Sequence, residues 1–191
     1  MSKETVASVL EFLTLLSTIF LFVLVILFLL KIIFRKDTSV YKYIVHFLQN
    51  HYLFLGFLIA FVATFGSLFY SEIMGYNPCK LCWYQRIFMY PQVFLFLIAL
   101  KSKRNASILW NSLILSFLGG IIAFYHYLMQ IGFVREVGCD VVGFTHKCSE
   151  FFSLAYGFIT IPMMSLVAFV LLIILAYGKI RACEERNIYN K

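Results

Sequence analysis

Five apolar runs, each about long enough to cross a bilayer, divide this chain and leave almost nothing between them. They occupy residues 9–34, 52–70, 83–100, 107–133 and 154–177. A membrane helix needs about 20 predominantly apolar residues, and in lipid its backbone polar groups must be satisfied within the segment. The chain is 62% hydrophobic and 19% aromatic, with 13% charged residues and a mean hydropathy of +0.90. A soluble core of this size cannot enclose that much apolar surface. The expectation is an all-α membrane protein, folded as one helical bundle and integral to the lipid bilayer.

The net charge of +7 does not point to nucleic acid, because the basic residues do not gather on one soluble face. They mark topology instead. Lys31, Arg35, Lys36 and Lys42 lie between the first two runs, and Lys101, Lys103 and Arg104 between the third and fourth. Lys179, Arg181, Arg186 and Lys191 follow the fifth. Short loops rich in Lys and Arg stay cytoplasmic. The amino terminus and the two loops on the opposite side then face outward, and the carboxyl terminus faces the cytoplasm.

The first run is read as a retained anchor helix. Its positive charge follows it instead of preceding it, and no small-residue cleavage site comes after. The segment 37–50 is the one linker, with Val40, Tyr41, Ile44, Val45, Phe47 and Leu48 spaced for a short amphipathic helix on the cytoplasmic interface. Gly119-Gly120 permits close helix approach or a local bend, and Pro91 and Pro162 predict kinks inside spans. Tyr52 and Tyr70, at span ends, read as interface anchors.

The outward face carries the chemistry. Cys79 and Cys82 sit in the run Asn77-Pro78-Cys79-Lys80-Leu81-Cys82-Trp83-Tyr84-Gln85-Arg86, and Cys139 and Cys148 lie in the next outer loop. Four thiols fall where disulfides persist, whereas Cys183 falls in the reducing cytoplasm as an inert thiol. Asn77 is a suitable N-cap and Pro78 a favoured first helical residue, which would put Cys79 in the first turn. Unpaired N–H groups and the helix dipole there favour a thiolate. Cys82 follows one turn on, and Arg86 four residues later on the same face.

Two readings of Arg86 stand: a cation that stabilises a Cys82 thiolate or a reduced anionic acceptor, and a headgroup anchor that ends the span. Zinc is disfavoured, because Cys139-x8-Cys148 with His146 nearby is a poor ligand spacing and the compartment is oxidising; no metal is expected. A structural bridge gains most by closing a long loop. One between Cys79 and Cys82 would close almost nothing, which favours a redox centre. His126, toward the outer end of the fourth run, has two readings as well: a satisfied interhelical histidine, or a group that bonds an acceptor or shuttles a proton.

The stretch from Cys79 through Arg86 to Tyr90-Pro91 resembles the signature of DsbB-type quinone–thiol oxidoreductases, especially their short BdbC-like branch, and Gly157-Phe158-Ile159-Thr160-Ile161-Pro162 resembles that branch's last span. The likeness covers about residues 52–177. It implies a bacterial cell-membrane enzyme built as a four-helix transmembrane bundle, which reoxidises a DsbA-like thioredoxin-fold thiol oxidase and passes electrons to a membrane quinone, ubiquinone or menaquinone. By position, Cys139 would be attacked by the partner, Cys148 would be released to attack Cys79, and Cys82 would be freed beside the quinone. Arg86 would lie at the quinone oxygen, with His126 a further candidate there. The chain then divides into an anchor helix and connector (1–50), a four-helix domain (51–178) and a cytoplasmic tail (179–191). The additional amino-terminal helix departs from the family core; it is read as a packing helix or a docking helix.

Three other readings are weighed against this one. A CcdA-like electron conduit would bury its cysteines within spans. A vitamin-K-epoxide-reductase-like enzyme would place its helix-borne pair after the loop pair, the reverse of the order here. A non-enzymatic scaffold with stapled loops would have no need of a Cys-x-x-Cys pair.

Overall fold

The structure, a computed structural model, describes residues 3–34, 39–101, 106–134 and 155–189. Six helices account for nearly all of them: α1 (Lys3–Phe34), α2 (Ser39–Asn50), α3 (Tyr52–Leu68), α4 (Lys80–Lys101), α5 (Ala106–Gln130) and α6 (Ile161–Tyr189). A π-helical turn, Phe69–Ile73, extends α3. The chain is an all-α, multi-pass membrane protein, with α3 to α6 as a bundle and α1 as an added amino-terminal helix. The segment that carries Cys139 and Cys148 lies outside the described residues.

Four stretches are long and apolar enough to cross a membrane: Lys3–Leu30, Tyr52–Ile73, Ser107–Gln130 and Ile161–Cys183. The expected span at 83–100 is therefore not one by composition. It is nevertheless the body of α4, which packs against α3 and α5. Its polar residues Gln85, Arg86 and Gln92 are buried. Polar groups satisfied inside a bundle need no lipid-compatible face of their own. Gln92, for example, donates to the Phe88 carbonyl (3.0 Å) and accepts from Ser112 (2.7 Å) and Ser116 (3.1 Å) on α5.

Small residues set the helix spacing. Phe96 of α4 fills the space over Gly56 of α3, where an added Cβ would stand 2.5 Å from its ring. Phe169 of α6 does the same over Gly119 of α5. Both rings are fully buried in one core with Ala60, Ala123 and Leu172. In lipid the gain from each ring comes from close van der Waals packing and not from leaving water. Of the two readings of Gly119-Gly120, close helix approach is the one seen at Gly119.

Two ends differ from expectation. The last span does not begin at 154. Residues 155–160 form a tight turn with an Ala155–Ile159 bridge, Tyr156 and Gly157 both at positive φ, and α6 starts at Ile161. Pro162 thus lies in the first helical turn, where its missing N–H costs nothing, instead of inside a span. At the other boundary α5 stops at Gln130. Phe133 N–H bonds the Leu128 carbonyl and Gly132 N–H the Met129 carbonyl, a Schellman cap with Gly132 at φ +79.

The short helix α2 forms as the hydrophobic spacing implied. Gln49 donates to the Gly178 carbonyl (3.2 Å), and Lys179 donates back to the Gln49 carbonyl (3.0 Å) while lying over the Tyr52 ring. These contacts tie α2 to the end of the bundle opposite the Cys79–Cys82 pair. Tyr52 and Tyr70 are both buried, which corrects their reading as interface anchors: each is covered by neighbouring helices.

Candidate active site

The chain reaches the first cysteine pair through an irregular segment, 75–79, that follows the π turn. Gly75 takes φ +77, Tyr76 N–H bonds the Tyr70 carbonyl at 3.0 Å, and the Tyr76 ring stacks on Tyr70. This anchoring keeps Asn77 and Pro78 out of the helix. α4 begins at Lys80, and the Cys79 carbonyl accepts the first helical bond, from Trp83 N–H. Cys79 is therefore the N-cap residue, not a residue of the first turn; Cys82 takes the third helical position. The local physics survives the shift, since both sulfurs still lie at the positive end of the helix.

The Cys79 and Cys82 sulfurs are 3.4 Å apart, so a small movement brings them to the ~2.05 Å of a disulfide. They differ in surroundings. Cys79 is 3% exposed and packs with Met129, whereas Cys82 is half-buried. On α5, His126 is 2% exposed and holds Nε2 3.7 Å from the Cys79 sulfur. Its Nδ1 is 3.0 Å from Gln85 Nε2, and the Gln85 carbonyl accepts from the Ser165 hydroxyl of α6. With the Gln85 amide donating to Nδ1, the ring proton sits on Nε2 and faces the sulfur.

Arg86 is 8% exposed and does not snorkel. Its Nε donates to Ser67 Oγ (3.0 Å) and its Nη2 to the Ser67 carbonyl (3.1 Å), while its guanidinium lies 5.2 Å from the centre of the Trp83 ring. These two hydrogen bonds are to neutral groups, and no carboxylate pairs with the guanidinium among the described residues. A cation inside a membrane helix costs about 2.5–3.5 kcal/mol on insertion scales, and the Ser67 bonds offset part of that.

Both cysteines, Arg86 and His126 line a cavity of about 290 Å³ whose walls are otherwise mainly apolar. Tyr70 and Tyr90 line it too, and their buried hydroxyls have no hydrogen-bond partner among the described residues. Cys79, Cys82 and His126 also bring three donor atoms within 4.8 Å of one another, a spacing a soft cation could use. Cys183 is remote and exposed, near the far end of α6.

The structure thus joins Cys79, Cys82, Arg86 and His126 at one cavity; Cys139 and Cys148 fall outside the described residues. Sequence reasoning did not single out Ser67, Gln85 and Ser165. The one available signal was polarity within an apolar run, which fits packing as readily as a site.

Comparison with known proteins supplies the family. The family described as disulfide bond formation protein DsbB matches residues 49–178. The SPbeta prophage-derived disulfide bond formation protein B of Bacillus subtilis is 41% identical over 150 residues, covering 75% of this chain and 97% of the relative. A probable disulfide formation protein of Oceanobacillus iheyensis is 43% identical over 64% of this chain and 84% of its own length. Disulfide bond formation protein C of Bacillus subtilis is 40% identical over 64% of this chain and 88% of its own length. No solved structure matches.

Proposed function

We propose that this chain, which belongs to the DsbB family of disulfide bond formation proteins, is a disulfide-forming oxidoreductase whose electrons leave through the Cys79–Cys82 pair to a membrane quinone. The observation that carries the reading is the shared cavity: a sulfur pair at a helix amino terminus, a buried cation and two buried phenol hydroxyls face one mainly apolar space.

The relay begins in the outer loop. A thiolate of a DsbA-like thioredoxin-fold partner attacks Cys139 of a Cys139–Cys148 disulfide, and Cys148 leaves as thiolate. The partner's second thiol resolves the mixed disulfide, so the partner is oxidised and the loop pair reduced by two electrons. Cys148 then attacks Cys79 of a Cys79–Cys82 disulfide, releasing Cys82 as thiolate; Cys139 resolves the Cys79–Cys148 bond and restores the loop disulfide. The two electrons now reside on Cys79 and Cys82. The burial of Cys79 means that the incoming sulfur reaches it only after a local opening of its contact with Met129.

His126 donates toward the Cys79 sulfur as it becomes anionic, and Gln85 and Ser165 hold the ring in that tautomer. Arg86 holds positive charge beside Cys82. A quinone, when bound, supplies an acceptor for two electrons and two protons. The chain's contribution to holding it is Arg86 and the Tyr70 and Tyr90 hydroxyls, all donors that suit carbonyl oxygens, set in apolar walls that suit a ring. Reoxidising a strongly oxidising partner, near −120 mV, requires an acceptor of higher effective potential, which a quinone supplies when bound. The distribution of Lys and Arg supports an orientation with the amino terminus and both cysteine-pair loops outside and the carboxyl terminus in the cytoplasm.

Purified protein mixed with a reduced DsbA-like substrate and quinone should turn over, read as quinone absorbance. Replacement of any of Cys79, Cys82, Cys139 or Cys148 by Ala should abolish turnover, and Cys183→Ser should preserve it. Turnover that survives the loss of Cys79 or Cys82 would sink the relay.

A further inference from the structure

The helix outside the matched family region makes part of the cavity wall. α1 contributes Leu10, Leu13, Thr14 and Ser17 to the cavity that holds the cysteine pair. These fall at i, i+3, i+4 and i+7, one continuous face of the helix. Apart from contacts with α6 and α2, α1 is shallowly packed: of its described side chains only Leu24 is buried. A helix packed so shallowly, with one face committed to a cavity, forms a wall that its own packing does not require.

A second, apolar groove runs between α1 and α3, lined by Val6, Phe61, Phe65 and Phe69 among others. It shares Leu10, Leu13, Val62 and Gly66 with the first cavity, so the two spaces adjoin. Gly66 brings α3 close to α1 where the two spaces meet: an added Cβ would stand in van der Waals contact with Leu10, 3.4 Å from its Cδ2, so a longer side chain would fill the junction. The polar end of this path holds Arg86 and the Tyr70 and Tyr90 hydroxyls, which have no hydrogen-bond partner among the described residues; the other end is walled mainly by Val, Leu, Ile and Phe side chains. The path matches an amphiphile with acceptor oxygens on a ring and a long apolar tail.

We infer that α1 and α3 form a passage, centred on Leu10, Leu13 and Gly66, that receives the isoprenoid tail of the quinone while its ring lies by Cys82 and Arg86. The inference rests on the quinone reading and adds a tail subsite made by the amino-terminal helix. α1 in this role sets which lipid-soluble acceptors are retained and is neither a plain anchor nor a docking helix.

The test uses the full chain in detergent and a binding signal independent of turnover. Quinone rings quench tryptophan emission on close approach. Trp110→Phe on α5, an exposed position, leaves Trp83, beside Arg86, as sole reporter. A naphthoquinone and a benzoquinone are titrated, each as the bare ring and with a four-unit isoprenoid tail. In the Trp110→Phe protein the tailed form of at least one ring should bind about tenfold or more tighter than its bare ring, after correction for partitioning into detergent. Gly66→Leu should erase most of that advantage and leave bare-ring binding within about twofold. Leu10→Ala, which widens the passage without risk of a clash, should weaken the tailed form about threefold and spare the bare ring. Tailed and bare rings bound equally well by the parent protein, or variants that weaken both forms alike or neither, overturn the tail subsite while leaving the quinone reading intact. Absence of saturable quenching by every quinone defeats both.

Discussion

His126 Nε2 lies 3.7 Å from the Cys79 sulfur, joining α5 to the residue that caps α4, with Gln85 on the far side of the ring. The three groups form one line of hydrogen-bond donors and acceptors that ends on Ser165 of α6. Because Cys79 is buried, its anion depends on such donors more than an exposed thiolate would.

Replacing His126 by Phe should therefore lower the alkylation rate of reduced Cys79 by iodoacetamide at neutral pH by about tenfold. Gln85→Leu should lower it less, by about threefold, since the ring remains but its tautomer is no longer fixed. Alkylation followed by mass spectrometry in a Cys82→Ser background reads this directly. Equal rates in all three proteins would return His126 to a packing role.

Arg86 and Ser67 give a graded pair. Arg86→Ala should raise the apparent KM for quinone by about tenfold or more, while Cys79 and Cys82 still form a disulfide with a chemical oxidant. Ser67→Ala removes one hydrogen bond that positions the guanidinium but leaves its charge, and should raise it less, by about threefold. Arg86→Lys tests charge without the fork geometry and should fall between them. An unchanged KM in Arg86→Ala would leave Arg86 a structural cation.

The contact of Phe169 with Gly119 predicts that Gly119→Val destabilises the bundle by about 1–3 kcal/mol through overpacking. Thermal unfolding in detergent should show a lower midpoint. The same substitution at Gly178, where nothing lies within 4 Å of an added Cβ, should leave it nearly unmoved.

The proposed orientation predicts thiol accessibility. After mild reduction of intact cells, a membrane-impermeant maleimide should label Cys139 and Cys148 but reach Cys183 only once the membrane is permeabilised. Labelling of Cys183 from outside would invert the topology.

Individual residues show where sequence reading reached and where it stopped. Spans were legible because lipid imposes a length and an apolar composition on each helix. α4 departs from that rule: Gln85, Arg86 and Gln92 lower its hydropathy, and only their bundle partners make the helix tolerable there. Asn77-Pro78 carried a real helix-start signal. The helix starts two residues later, at Lys80, after a segment that Tyr76 ties back to Tyr70, a contact no local preference encodes. Tyr70 at a span end looked like an interface anchor because burial by another helix leaves no mark on its own segment.

The sequence by itself determined an all-helical membrane bundle, a Cys-x-x-Cys pair with an arginine one turn beyond it, and the likeness that the family match bears out. These are short-range properties, written in composition and in spacings of a few residues. Only the tertiary structure decided that His126 faces Cys79, that Arg86 turns inward to Ser67, and that α1 lines the cavity. Each depends on which faces of distant helices meet. That is settled by side-chain volumes and by the need to satisfy buried polar groups, and neither is written at any single position in the chain.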